Sequence, residues 1–222
     1  MRMKKMILRI LRILLGLFLY SLGTYLGIQA NVGLGAWEAF GTGVSAHTGI
    51  SYGNVTILTG LVILVLDVLL GEKIGLATIL NTLLIGTFVD ALNALNLVPK
   101  LTGFVPGVLL LLGGQVLICL GVYFYVGVGY GAGPRDSLMI ALGKRMPRVP
   151  IGVVRGTVEG SALLAGWLLG AKVGVGTVIS VFGISFLMQG TFKLLRFDVK
   201  SVQHESAIQT LRGGIVTTQR IL

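Results

Sequence analysis

Apolar residues in this chain do not alternate with polar ones; they run in long blocks. Six such blocks, at residues 6–30, 54–70, 76–98, 105–128, 153–169 and 175–195, carry few charges. Each approaches the roughly 20 residues an α-helix needs to cross a hydrocarbon core at about 1.5 Å per residue. Residues 33–53 and 129–152 interrupt the blocks, and each holds a short helix-like stretch too polar for an ordinary span. The expected fold is all-α: one membrane domain over 1–222, a polytopic transmembrane helical bundle of about six spans plus two short re-entrant or interfacial helices.

A second pattern runs at a separation of 98 to 99 residues. Leu22, Gly23 and Tyr25 recur as Leu120, Gly121 and Tyr123. The stretch Gly33-Leu34-Gly35-Ala36-Trp37-Glu38 returns as Gly131-Ala132-Gly133-Pro134-Arg135-Asp136, and Gly53 as Gly152. Clearest is Gly71-x-Lys73-x-Gly75-x-x-Thr78 against Gly170-x-Lys172-x-Gly174-x-x-Thr177, where lysine and threonine keep register with the glycines. Two tandem repeats are expected, one over 13–98 and one over 105–195. Each reads as a long span, a Gly-x-Gly break, a short helix and two further spans. An odd number of crossings per unit places the second copy upside down, the inverted topology of many transporters. If the short helices also cross, the repeats run parallel instead.

Composition agrees with a lipid solvent: 54% of the residues are hydrophobic and 12% charged, about half the charged share of a soluble domain. The 34 glycines are spread through the apolar blocks, where small residues let helix backbones approach in a membrane. The net charge of +10 gathers at both ends, in Arg2, Lys4, Lys5, Arg9 and Arg12 and in Lys193, Arg196, Lys200, Arg212 and Arg220. Positive segments stay inside, so both termini are expected to face the cytoplasm. Residues 33–53 lack lysine and arginine while 129–152 carry Arg135, Lys144, Arg145 and Arg148, the bias inversion predicts. Lys100 and Lys172 are exceptions. The margin over the parallel arrangement is one residue, and the polar character of 36–49 decides for inversion. The basic N-terminus and the apolar stretch after it imitate a signal peptide, but the stretch is long and reads as a retained first helix. The charges border spans and form no nucleic-acid-binding motif, so anionic lipid is their expected partner and nucleic acid is not.

Candidate chemistry follows from the breaks. Gly33, Gly35, Gly131 and Gly133 allow a tight path from span to short helix, and broken backbone at membrane depth needs protein or a watery cavity to satisfy it. Glu38 and Asp136 cap the first turns of the short helices or line symmetrical gates, with Trp37 and Arg135 beside them. Trp37 also suits an interfacial anchor. In the third span of each unit Asn81 matches Ser180 and Asp90 matches Gln189. These polar positions line a path or hold the bundle together by interhelical hydrogen bonds. The candidate solute-binding set is thus Trp37, Glu38, Asn81, Asp90, Arg135, Asp136, Ser180 and Gln189.

Other polar groups point less clearly. Arg155 and Glu159, four apart, read as a structural ion pair near the inner interface. Asp67, near a span end where water can reach it, is assigned no role. His47 and His204 lie far apart, Cys119 has no evident base, and the Gly-x-Gly pairs do not follow a strand, so no enzyme, metal or cofactor is expected. Cys119 reads as a small core residue. The polar tail, 197–222, holds an amphipathic stretch at 202–211 that suits a surface helix.

At the Gly-Leu-Gly-Ala-Trp-Glu and Gly-x-Lys-x-Gly-x-x-Thr stretches and the closing Phe197-Asp198-Val199-Lys200, the chain resembles the YczE/YyaS/YitT family of bacterial membrane proteins over nearly its whole length. The resemblance implies a multi-spanning protein of the cytoplasmic membrane and supplies no substrate. The expected function is a small-solute transporter or permease with its site between the repeats. Its competitor is a non-catalytic membrane accessory protein that uses the same glycines for packing and the basic tail for a partner.

Overall fold

The computed structural model describes residues 2–198 and 202; the expected surface helix at 202–211, apart from its first residue, and most of the polar tail lie outside them. Among the described residues eight helices follow one another: α1 (Arg2–Ala30), α2 (Ala36–Thr48), α3 (Tyr52–Leu69), α4 (Leu76–Leu95), α5 (Phe104–Val126), α6 (Pro134–Arg145), α7 (Ile151–Leu168) and α8 (Val175–Leu194). The α8 helix contains a π-helical turn at Ile179–Gly183. Among the described residues there is no strand. Five helices, α1, α3, α4, α5 and α8, are long and apolar enough to cross a membrane. The sixth expected span, α7, has the same 18 residues as α3 but carries Arg155 and Glu159, which lower its apolarity.

Local chemistry sets the helix ends. The Ser51 hydroxyl accepts the Asn54 amide at 3.2 Å and starts α3, supplying one of the partners that first-turn amides lack. Thr78 and Thr177 do the same work in reverse, accepting the amides of Gly75 at 3.4 Å and Gly174 at 3.2 Å. Gly71 and Gly170, at φ of 75° and 80°, end α3 and α7 in the left-handed conformation that a Cβ disfavours. Left-handed backbone also falls at Asn31 and Gly33 before α2 and at Gly129 and Gly131 before α6, at the separation of the sequence matches.

The centre of the bundle is the α1–α5 pair. Gly16 faces Gly121 and Gly23 faces Gly114, so the two helices run antiparallel. A Cβ on Gly16 would sit 2.8 Å from the Gly121 carbonyl oxygen, and one on Gly121 2.6 Å from that of Gly16. Glycines seven residues apart lie on one face, two turns along, and bring the backbones into contact over that length. Against this pair α4 packs on α1 and α8 on α5, α3 packs on α4 and α6, and α2 packs on α7. Ile13, Leu17, Ala77, Ile85, Tyr125 and Val126 form the largest buried apolar cluster, where α1, α4 and α5 meet.

Asp67 departs from its expected wetted position: it is fully buried, with neither carboxylate oxygen hydrogen-bonded. The end of α3 is covered because the C-terminus of α6 lies over it. Arg145 donates to the Leu70 carbonyl at 2.8 Å and Lys144 pairs with Glu72 at 2.7 Å.

Candidate functional site

Each Gly-x-Gly break is held by the Gly-x-x-Thr stretch of the other half. The Ala77 amide donates to the Tyr130 carbonyl at 2.8 Å and the Thr78 hydroxyl to the Ala132 carbonyl at 2.7 Å. Gly131, at φ 112°, packs on Gly75. In the other direction the Gly176 amide donates to the Val32 carbonyl at 2.9 Å, the Leu34 amide to the Lys172 carbonyl at 3.1 Å, and Gly33 packs on Gly174 and Thr177. The Lys172 ammonium donates to the Asn31 carbonyl at 2.6 Å. The irregular backbone is thus satisfied inside the protein, as lipid requires.

Clamped in this way, α2 and α6 start at the wall of a cavity of about 220 Å³. All eight helices contribute to its lining, including Tyr20 and Thr24 of α1, Gln115 and Tyr125 of α5, and Arg155 and Glu159 of α7. Gly35 and Gly133, the residues before the two short helices, line it as well. A side chain on Gly35 would collide with the Glu38 carboxylate and lie 3.6 Å from Ser180 Cβ; one on Gly133 would lie 3.5 Å from both Asn81 Nδ2 and Asp136 Oδ2. Two similar clusters therefore face the cavity: Gly35 with Glu38 and Ser180, and Gly133 with Asp136 and Asn81.

Charge is concentrated between them. The Arg135 guanidinium carbon sits 4.4 Å from the centre of the Trp37 ring, stacking the second residue of α6 on the second residue of α2. Arg155 and Glu159 pair at 2.9 Å. Asp136 is surrounded by protein yet open to the cavity. Burial raises its carboxyl above the ordinary range, while the Arg155 and then the Arg135 guanidinium pull it back down. The Gln115 amide nitrogen donates to the Ser180 hydroxyl at 3.0 Å, leaving Gln115 Oε1 without a protein partner. Thr24 Oγ1 is also buried and unpartnered. Both side chains are less than a tenth exposed, so each offers a ligand a hydrogen bond that water outside the protein does not already supply. Among the described residues no three of His, Cys, Asp and Glu come together as a metal site requires.

Six of the eight candidate solute-binding residues line this cavity: Trp37, Glu38, Asn81, Arg135, Asp136 and Ser180. Two do not. Asp90 Oδ1 accepts the Gly53 amide at 2.8 Å, joining α4 to the start of α3, and Gln189 is exposed on α8. Sequence reasoning passed over Tyr20, Thr24, Tyr52, Gln115 and Tyr125. The signal available for four of them is a hydroxyl or amide inside an apolar block, and Tyr52 lies just before one; nothing in the sequence tells which side of a helix faces inward. Arg155 and Glu159 do pair as expected, and they do so on the cavity wall.

Comparison with known proteins gives a family and two relatives. A family of unknown function, DUF6198, matches residues 7–193. The chain is 33% identical over 192 residues to the uncharacterized membrane protein YczE of Bacillus subtilis, covering 83% of this chain and 87% of that one. It is 29% identical over 177 residues to an uncharacterized protein of Haemophilus influenzae, covering 80% of each. The resemblance carried by the glycine motifs is borne out by the first of these relatives. No solved structure matches the chain.

Proposed function

The chain belongs to the family of unknown function DUF6198, and we propose that it is a small-solute transporter or permease of the bacterial plasma membrane whose solute occupies the cavity between α2 and α6. One observation carries this reading. A cavity whose wall includes charged and polar side chains lies inside an apolar helical bundle, with the starts of two short helices facing it and with buried, unpartnered oxygens at Thr24 and Gln115. Polar and ionisable groups are expensive at membrane depth and mark solute or ion pathways there.

Cavity chemistry narrows the solute. At about 220 Å³ the space is smaller than the roughly 300–1,000 Å³ of drug-sized sites, so the solute is small. Carboxylates at Glu38, Asp136 and Glu159 stand beside guanidiniums at Arg135 and Arg155, a lining suited to a polar solute that carries charge. Catalysis is not part of the proposal; the residues bind and orient. The antiparallel α1–α5 pair and the matched left-handed positions support two inverted repeats, and the basic residues at both ends of the chain support termini in the cytoplasm.

Binding and uptake by purified protein in liposomes, across a panel of amino acids, amines, organic acids and small sugars, tests the reading. Saturable uptake of one class that falls with Arg135→Gln and Glu38→Gln supports it. If nothing in the panel binds or moves while the cellular phenotype survives both substitutions, the competing reading of a non-catalytic accessory protein takes its place.

A further inference from the structure

The two halves differ in how their last two spans pack. In the first, α3 and α4 close on each other. Gly86 packs on the Gly53 carbonyl, Gly60 lies against Thr82, and Asp90 Oδ1 accepts the Gly53 amide at 2.8 Å. The residues that match Gly53 and Asp90 are Gly152 on α7 and Gln189 on α8. Here the helices stand apart. A side chain on Gly152, Gly156 or Gly160 would meet nothing within 4 Å, and α8 buries no residue from Ile179 to Leu194. Gln189 is exposed, and the cavity reaches this gap through Arg155, Ile184 and Met188.

These contacts belong to opposite ends of the bundle. Asp90 lies toward the end where Gln29 meets Asn93 and the Tyr25 hydroxyl donates to the Val98 carbonyl. Gln189 lies toward the other end, where Phe197 packs on Tyr123 of α5. One end of the cavity is shut by a glycine contact and an amide latch, and the matching contact at the other end is unmade.

We propose that α7 and α8 form a gate, open in this structure, that closes when α8 seats on the Gly152–Gly156–Gly160 face of α7 and Gln189 Oε1 accepts the Gly152 amide as Asp90 accepts that of Gly53. The proposal rests on the solute-path reading of the cavity and names how the path is gated. Three features carry it. Gly152 is the second residue of α7, where an amide has no carbonyl inside its own helix. Gln189 is an exposed amide within a span, without a hydrogen-bond partner of the kind Asp90 has, and is satisfied once it meets the Gly152 amide. The π turn at Ile179–Gly183 supplies the movement, because residues 80–84, its counterpart in α4, are ordinary α-helix. A π turn holds an extra residue, and its reversion to α rotates everything beyond it by about 100°. Gly183, with only Ile179 and Gln115 near its Cβ position, at 3.7 and 3.8 Å, leaves room for that rearrangement.

Paired cysteines test the gate. With Cys119→Ala in place, Gly156→Cys and Ser185→Cys are treated in native membranes with a short bifunctional thiol reagent. The two positions match Ile57 and Gly86, which touch across α3 and α4. Position 156 has open space for a side chain, and Ser185 and Gln189 are exposed, so the fold tolerates the changes. A link within one chain is expected. Its yield should fall about fivefold with Gln189→Ala, the factor one hydrogen bond of ordinary net strength makes in a two-state equilibrium, and recover with Gln189→Glu. The gate is overturned if both cysteines react singly but never link, if the yield ignores Gln189→Ala, or if the link joins two chains, which would make this face a dimer contact. Uptake in the same preparation separates the readings: solute movement without any link overturns the gate alone. A link sensitive to Gln189→Ala, in protein that moves no solute, upholds the gate and removes the transport reading.

Discussion

The Thr78 hydroxyl donates to the Ala132 carbonyl at 2.7 Å, joining the two glycine motifs across 54 residues of chain. Ala132 sits in the middle of the second Gly-x-Gly break, so the bond fixes backbone that no helix holds. Thr78→Val keeps the shape and deletes the donor, leaving a half-buried carbonyl unpaired. That costs about 1–3 kcal/mol and should lower the thermal stability of the detergent-solubilised protein. Thr78→Ser retains the hydroxyl and should recover most of the loss.

The α1–α5 contact makes a sharper demand on size. Gly23 packs on the Gly114 carbonyl, whereas Gly113, one residue away, has open space around it. Gly23→Ala should destabilise the protein by about 1–3 kcal/mol, the usual effect of overpacking. Gly113→Ala should stay within about 0.5 kcal/mol of the parent. Thermal unfolding of the two variants side by side checks the difference; equal losses would mean that α1 and α5 do not meet at these glycines.

Asp136 gives a pH signature. Burial raises its folded-state value above the ordinary 3.8, so between those values the folded protein holds a proton that the unfolded chain has released. The group's contribution to stability is therefore fullest at low pH and is lost as pH rises through the raised value. Asp136→Asn cannot titrate. Plotted against pH, the stability of the wild type minus that of this variant should fall through that window and then level. A flat difference would place the carboxyl in an ordinary aqueous setting.

Cavity and latch carboxylates should separate in binding. Once a solute is found, Arg135→Gln and Asp136→Asn should weaken its binding by about tenfold or more, the range for a hydrogen bond to a charged group. Asp90→Asn, which keeps an acceptor oxygen for Gly53 and lies off the cavity wall, should leave affinity within about twofold. Isothermal titration of the three variants decides between the cavity and a path past Asp90.

Topology can be read with single cysteines in a chain carrying Cys119→Ala. His47 is exposed at the end of α2, and Lys144, near the end of α6, is largely exposed beside Glu72. His47→Cys should react with an impermeant reagent from outside the cell and Lys144→Cys only from the cytoplasmic side. Labelling of both from one side would remove the inverted arrangement.

How much of this the sequence carried depends on the range of the interaction. Apolar blocks of spanning length determined the all-helical membrane fold, because lipid leaves the backbone few other ways to satisfy itself. The Gly-x-Gly breaks and the starts of α2 and α6 were equally legible, being local consequences of glycine and of first-turn acids. Helical phase and partner choice were not legible. Asn81 and Asp90 are both polar residues of α4, yet one faces the cavity and the other latches Gly53. The matched pair Asp90 and Gln189 finds opposite surroundings, latched in one half and exposed in the other. Lipid is as apolar as a core, so hydrophobic pattern cannot mark which face of a span turns inward. That was decided by backbone approach at glycines far apart in sequence, Gly23 on Gly114 and Gly131 on Gly75, and only the tertiary structure brings those together.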